Sequence, residues 1–315
     1  MRNTMRFLTI VTACLVALLT ASNGLAADAK SRPTISDAER ALAMWQVQNT
    51  MSKHAYYHAA GMHLEELADI WVNENGPWAK TATFASPGWI MKGVAAVKKY
   101  YGQTNQDNKV KELENISKIY PEVKNVPENL GAGHEWAMHT LTTPIIEIAG
   151  DGKTAKAVWY SPGMGLSSRI NGTNVNVGST FFWEKYGADF VKEDGEWKIW
   201  HCQMFYDFTP SLPASMTANL GTGGGQAEQG APGGQGAPPA GQGGGQGAPR
   251  GQGAPGGAPG GRGGDAVEAG ERMSAGAADM VDNPKKYKSY SPTRVPEIMP
   301  QFPEPYYTFS ETFSY

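Results

Sequence analysis

The chain has 315 residues, a formal net charge of −3 and only two cysteines. So even a balance excludes a basic surface on the scale nucleic acid demands, and the expected partners are small molecules. After the first thirty or so residues no stretch is apolar for long enough to span a bilayer, which excludes a polytopic membrane protein.

MRNTMR followed by FLTIVTACLVALLTASNGLA has the basic start and short apolar run of a signal peptide, assigned to residues 1–26. Gly24, Ala26, Ala27 and Ala29 supply the small residues for cleavage after Ala26 or Ala29. Val11-Thr-Ala-Cys14 resembles a lipoprotein box, but it lies inside the apolar run, where cleavage would leave LVALLT attached. The mature protein is therefore expected to be exported, periplasmic or secreted, with no membrane insertion. Cleavage removes Cys14 and leaves Cys202 alone, so stability must come from a hydrophobic core rather than an intramolecular disulfide.

The folded body is expected over 34–212. Met44, Val47, Met51, His54 and His58 recur at spacings of three and four, which predicts one face of a helix and turns both histidines inward. Gly61 is the expected break. "HLEELADIW" reads as a second helix with Leu64, Leu67 and Trp71 inward, and "VAAVKKYYGQ" as a third. From His134 the pattern changes to long strands, with hairpin turns predicted at Asp151-Gly152 and Asp194-Gly195. Along the last strand, Trp197, Ile199, His201, Gln203, Phe205 and Asp207 should share one face and Trp200, Cys202, Met204, Tyr206 and Phe208 the other. Both faces are largely apolar, so a curved antiparallel sheet is expected, covered by its own helices on one side and a second subunit on the other. A homodimer follows from that expectation.

Residues 221–264 consist almost entirely of Gly, Gln, Pro and Ala, a composition that cannot bury enough apolar surface to offset its ordering entropy. This segment is read as a disordered linker. Residues 280–315 are dense in proline and aromatics and are expected to dock in extended form on the body, with a cavity mouth as one place for them and disorder as the alternative.

Three helices followed by long antiparallel strands ending in "DGEWKIWH" resemble the SnoaL-like, nuclear transport factor 2-like cone fold, an α+β architecture. "HTLTTPIIEIAGDGKTAKAVWYSPG" with "EDGEWKIWHCQMFYDF" is similar to the branch containing bile acid 7α-dehydratase and scytalone dehydratase. The resemblance implies a catalytic strand histidine at His139 and a helix tyrosine at Tyr57, with Tyr56 as the alternative. It also implies an aspartate after the tyrosine, but the residues here run His58, Ala59, Ala60, Gly61, Met62, His63. His58 or His63 would then handle a proton in place of a carboxylate.

A histidine titrating near neutrality can take a proton in one step and return it in the next, while a tyrosine hydroxyl can polarise or protonate oxygen. His54 and His58, one turn apart, fit one proton-transfer residue and one positioner, or two hydrogen-bonded core histidines. A shared metal ion is the sharper alternative, but HExxH is missing and no third ligand is evident, so no metal is expected. His134 and His139 should face opposite sides of one strand. Tyr160, Trp159, Lys185 and His201 complete the candidate site, Lys185 as a base or oxyanion partner and His201 on a face shared with Asp207. Walker A, Rossmann and Gly-x-Ser-x-Gly patterns are missing as well, so no cofactor is expected. The expected activity is cofactor-independent elimination from a hydrophobic hydroxylated aromatic or polycyclic molecule. Carbon–carbon cleavage with loss of formaldehyde, or ligand binding without turnover, are the alternatives.

Overall fold

The computed structural model describes residues 32–134, 136–171, 174–211, 279–297 and 300–315, with side chains omitted over 167–177. The expected signal peptide and linker lie outside the described residues. Helix α1 spans Asp37–Ala59 and opens on a capping box in which Ser36 and Glu39 satisfy each other's backbone N–H groups. Its inward stripe is Ala43, Val47, Thr50, Met51 and His54. Met44, expected on that stripe, is instead partly exposed, because the register that buries Val47 and His54 places Ala43 against the sheet.

Helix α2 (His63–Ile70) turns His63, Glu66, Leu67 and Ile70 inward, at helical spacings of three, four and seven. Leu64, expected inward, is only half-buried, and a carboxylate takes a core position instead. Next come strands β1 (Thr83–Ala85) and β2 (Trp89–Lys92) and a short helix α3 (Val94–Val97). A π-helical turn at Lys98–Gln103 leads into α4 (Thr104–Ile119). The wider turn buries Tyr101 and brings Gly102 against Leu64 and Leu67, uniting this helix with α2.

Strands β3 (Trp136–His139), β4 (Thr142–Ile148), β5 (Thr154–Asn171), β6 (Asn174–Glu193), β7 (Glu196–Phe208) and β8 (Met280–Asp282) complete an eight-stranded sheet ordered β3-β5-β6-β7-β1-β2-β8, with β4 also on β5. All the pairings are antiparallel except β1 with β7. Asp194 and Gly195 both have positive φ, the conformation of a tight two-residue hairpin turn, as their sequence predicts. His134 precedes β3 rather than lying on it.

A register shift between Asp189 and Phe190, facing Trp200, corrects the expected face pattern of β7. The extra residue turns Trp197 and Ile199 into the core with Cys202 and Met204, while His201 stays opposite Asp189 on the outer face.

The C-terminal segment covers much of that outer face, where a second subunit was expected. The buried Lys156 ammonium bonds Asp189 at 2.6 Å and sits 4.4, 4.5 and 5.1 Å from the rings of Phe309, Phe313 and Tyr315. Asp189 also takes bonds from His201, Ser314 and the Tyr315 backbone. Tyr307 and Tyr315 lie so close on Gly150 and Gly187 that a side chain at either glycine would collide with a ring. Replacing Asp189 with Asn strands a buried ammonium and should destabilise the fold by roughly 3–5 kcal/mol. Urea unfolding measures this, and an unchanged midpoint would show that the pair contributes nothing.

Candidate functional site

Four imidazoles meet where α1, the first turn of α2 and the end of β3 converge. His54 and His58 stack with ring centroids 5.8 Å apart. His139 stands edge-on to both, at 5.4 and 4.9 Å, and His63 stands edge-on to His58 at 5.3 Å. Tyr101 packs 4.6 Å from His63, and Tyr186 of β6 stacks on His139 at 5.7 Å and lies 5.6 Å from His54.

Beneath the imidazoles lies Glu66, fully enclosed. Its carboxylate accepts from His54 Nδ1 at 2.8 Å, the Tyr101 hydroxyl at 2.6 Å and Trp71 Nε1 at 3.1 Å. Burial alone would raise its pKa, but His54 and the Tyr101 hydroxyl outweigh burial and hold it below the usual value, so it stays ionised. An ionised carboxylate only accepts, so the Nδ1 of His54 carries a hydrogen and, in the neutral ring, Nε2 keeps its lone pair. That Nε2 is buried and has no hydrogen-bond partner.

His58, His63 and His139 are held neutral. Burial, reinforced by His54 and His63, lowers His58 to about 3. Burial also lowers His63 to about 4 and drives His139 well below its ordinary value, helped there by His58 and His54. His139 Nδ1 lies 2.9 Å from the Ser161 hydroxyl, while its Nε2 is buried and unpartnered, as are Nδ1 of His58 and of His63. Ser161 and Tyr206 hydrogen-bond Glu184, which burial nevertheless pushes up to about 8. Unpartnered ring nitrogens from three elements thus gather in one buried, aromatic-lined cluster. Such nitrogens can accept or donate a proton but are bonded to nothing within the protein.

The SnoaL-like domain family matches residues 39–203, more than half of the chain. The chain belongs to this family. Its architecture is α+β, with helices against one face of a mostly antiparallel sheet. No curated protein sequence matches the chain. It is similar to a Novosphingobium aromaticivorans protein provisionally assigned as a scytalone dehydratase, at 16% identity and a TM-score of 0.37, over 54% of this chain and 87% of that one. It is likewise similar to a hexachlorocyclohexane dehydrochlorinase from Novosphingobium barchaimii, at 16% identity and a TM-score of 0.36, over 56% of this chain and 94% of that one.

Of the residues singled out in the sequence, the structure brings His54, His58, His63 and His139 together. It places several others elsewhere. Tyr57 points away from the imidazoles and donates to Asp69 at 3.0 Å, and Tyr56 is 81% exposed. Both follow from the register that turns His54 inward. Tyr160 and Lys185 pair across β5 and β6 on the outer face, where Lys185 bonds Asp207 at 3.0 Å. His201 lies on that same face, between Asp189 and the Thr81 carbonyl. Trp159 faces inward, but its Nε1 is taken by Gln48 at 2.8 Å. Among the described residues no three His, Cys, Asp or Glu side chains are grouped as a metal site.

Sequence reasoning missed Glu66, Tyr101, Ser161 and Glu184. Glu66 had a readable signal, a charge on the apolar stripe of a short helix. Ser161 and Glu184 had none beyond their even separation from other inward residues.

Because His58 and His63 stay neutral when folded, the unfolded chain takes up protons below pH about 6.5 that the folded state refuses. Stability should therefore fall as pH drops from there towards 4. His58→Phe should shallow the fall in urea midpoint, and equal slopes in both proteins would refute the neutral burial of this ring.

Proposed function

We propose that this protein is a lyase that works by proton transfer alone on a hydrophobic, hydroxylated aromatic or polycyclic small molecule. The observation that carries this reading is the buried His54–Glu66 pair, whose outward Nε2 has no partner and faces His58 and His139. A carboxylate behind an imidazole fixes its tautomer and stabilises the cation formed when it takes a proton. The surrounding side chains Trp71, Phe84, Tyr101 and Tyr186 are aromatic and buried, which suits a flat apolar substrate.

In the step that fits these groups, His54 Nε2 removes a proton from the carbon next to the one bearing the hydroxyl. The C–H electron pair becomes the new double bond as the C–O bond breaks. The departing oxygen accepts a hydrogen bond from His139 Nε2–H, takes its proton from the His54 imidazolium and leaves as water. His54 is thereby returned to its neutral form, so no net proton or electron is gained. In this reading the basic, apolar start of the chain directs the reaction outside the cytoplasm.

The test is mass spectrometry of the full chain and its His54→Ala variant incubated with hydroxylated steroids and diaryl compounds. A product lighter by water is expected, with the rate in the variant reduced by roughly 10²–10⁴. A product lighter by formaldehyde would overturn water elimination in favour of carbon–carbon cleavage. Compounds bound equally by both proteins and recovered unchanged would make this a binding protein instead.

A further inference from the structure

Ser161 sits directly opposite Glu184 in the β5–β6 register. Its hydroxyl lies between two partners, His139 Nδ1 at 2.9 Å and the Glu184 carboxyl. A hydroxyl has one hydrogen to give, and it goes to only one of them at a time. His139 makes no other hydrogen bond that would fix its tautomer, since its Nε2 has no partner. We propose that Glu184, acting through Ser161, is the positioning residue that decides which nitrogen of His139 carries the hydrogen, and so whether Nε2 meets the substrate as donor or acceptor. The inference rests on the reading of His139 as a participant in proton transfer.

The two states follow from the donor inventory. An ionised Glu184 accepts the Ser161 hydrogen, so the Ser161 oxygen accepts from His139 Nδ1–H and Nε2 is left with its lone pair. A neutral Glu184 donates to the Ser161 oxygen, the Ser161 hydrogen turns to Nδ1, and the His139 hydrogen moves to Nε2. Besides Ser161, Tyr206 hydrogen-bonds Glu184, and the Glu184 charge in turn raises Tyr186 and Cys202. His54 and His58 of α1 and Tyr186 of β6 pack against the far partner, His139. Tyr186 and Cys202 are both pushed to higher pKa by burial, so they remain neutral while Glu184 titrates. With Glu184 raised to about 8, the neutral form prevails at pH 7 and the ionised form above 8. His139 therefore presents a donor below that pH and an acceptor above it.

Long-range 1H–15N correlation of histidine-labelled full chain reads the tautomer directly, without substrate. From about pH 6.5 to about pH 9.5 the hydrogen of His139 should move from Nε2 to Nδ1, with a midpoint near 8. Glu184→Gln and, independently, Ser161→Ala should each abolish the pH dependence. A single tautomer throughout in the wild type, or a switch that survives in Glu184→Gln, would overturn the proposal. Turnover by His139→Ala at the wild-type rate, with the tautomer switch intact in the parent, would instead remove His139 from the reaction and leave the relay standing.

Discussion

The site is organised by one buried carboxylate. Glu66 is cut off from bulk solvent, and burying a charge in apolar surroundings is costly unless it is well hydrogen-bonded. Its three donors come from α1, from the π-turn before α4 and from the strand-like segment just past α2. Satisfying the charge therefore pins three separate pieces of chain to one point. The same bonds set the rotation of α1 that brings His54 and His58 inward and leaves Tyr56 and Tyr57 outside. A polar group at this position thus ties packing to the imidazole cluster, because the imidazole that donates to the carboxylate is one whose other nitrogen is buried without a partner.

The two faces of the sheet treat polar groups in opposite ways. On the outer face every buried charge discussed here is matched: Lys156 and His201 on Asp189, Lys185 on Asp207, with aromatic rings of the C-terminal segment closing over the Lys156 ammonium. On the inner face, buried ring nitrogens of four histidines have no partner. Unmet hydrogen bonds in an interior carry a cost that paired ones do not. Four such rings gather at one point of the inner face, whereas the charges of the outer face pair with one another.

Register explains why a cluster of histidines in sequence only partly announces a cluster in space. His54, His58 and His63 fall within ten residues, yet each reaches the same place by a different route: one turn of α1 separates the first two, and the third opens a new helix after the chain reverses. His139 joins them from a strand more than seventy residues away. The bulge near Trp200 shows the converse. One inserted residue moves Trp197 and Ile199 to the face opposite His201, so strict alternation along β7 fails at the bulge.

The sequence by itself determined the helix-then-strand order, the inward face of α1 with its two histidines, the Asp194-Gly195 turn and the family-like strand histidine at His139. These are local or periodic properties, fixed by side-chain spacing and turn chemistry within a few residues. Tertiary structure alone decided that Glu66 rather than an aspartate of α1 supports the imidazoles, that Tyr57, Tyr160, Lys185 and His201 stand away from them, and that the C-terminal segment seats over Lys156. Each of those depends on which distant donor meets a buried charge, and the cost of leaving such a charge unpaired is settled only when the separate elements come together.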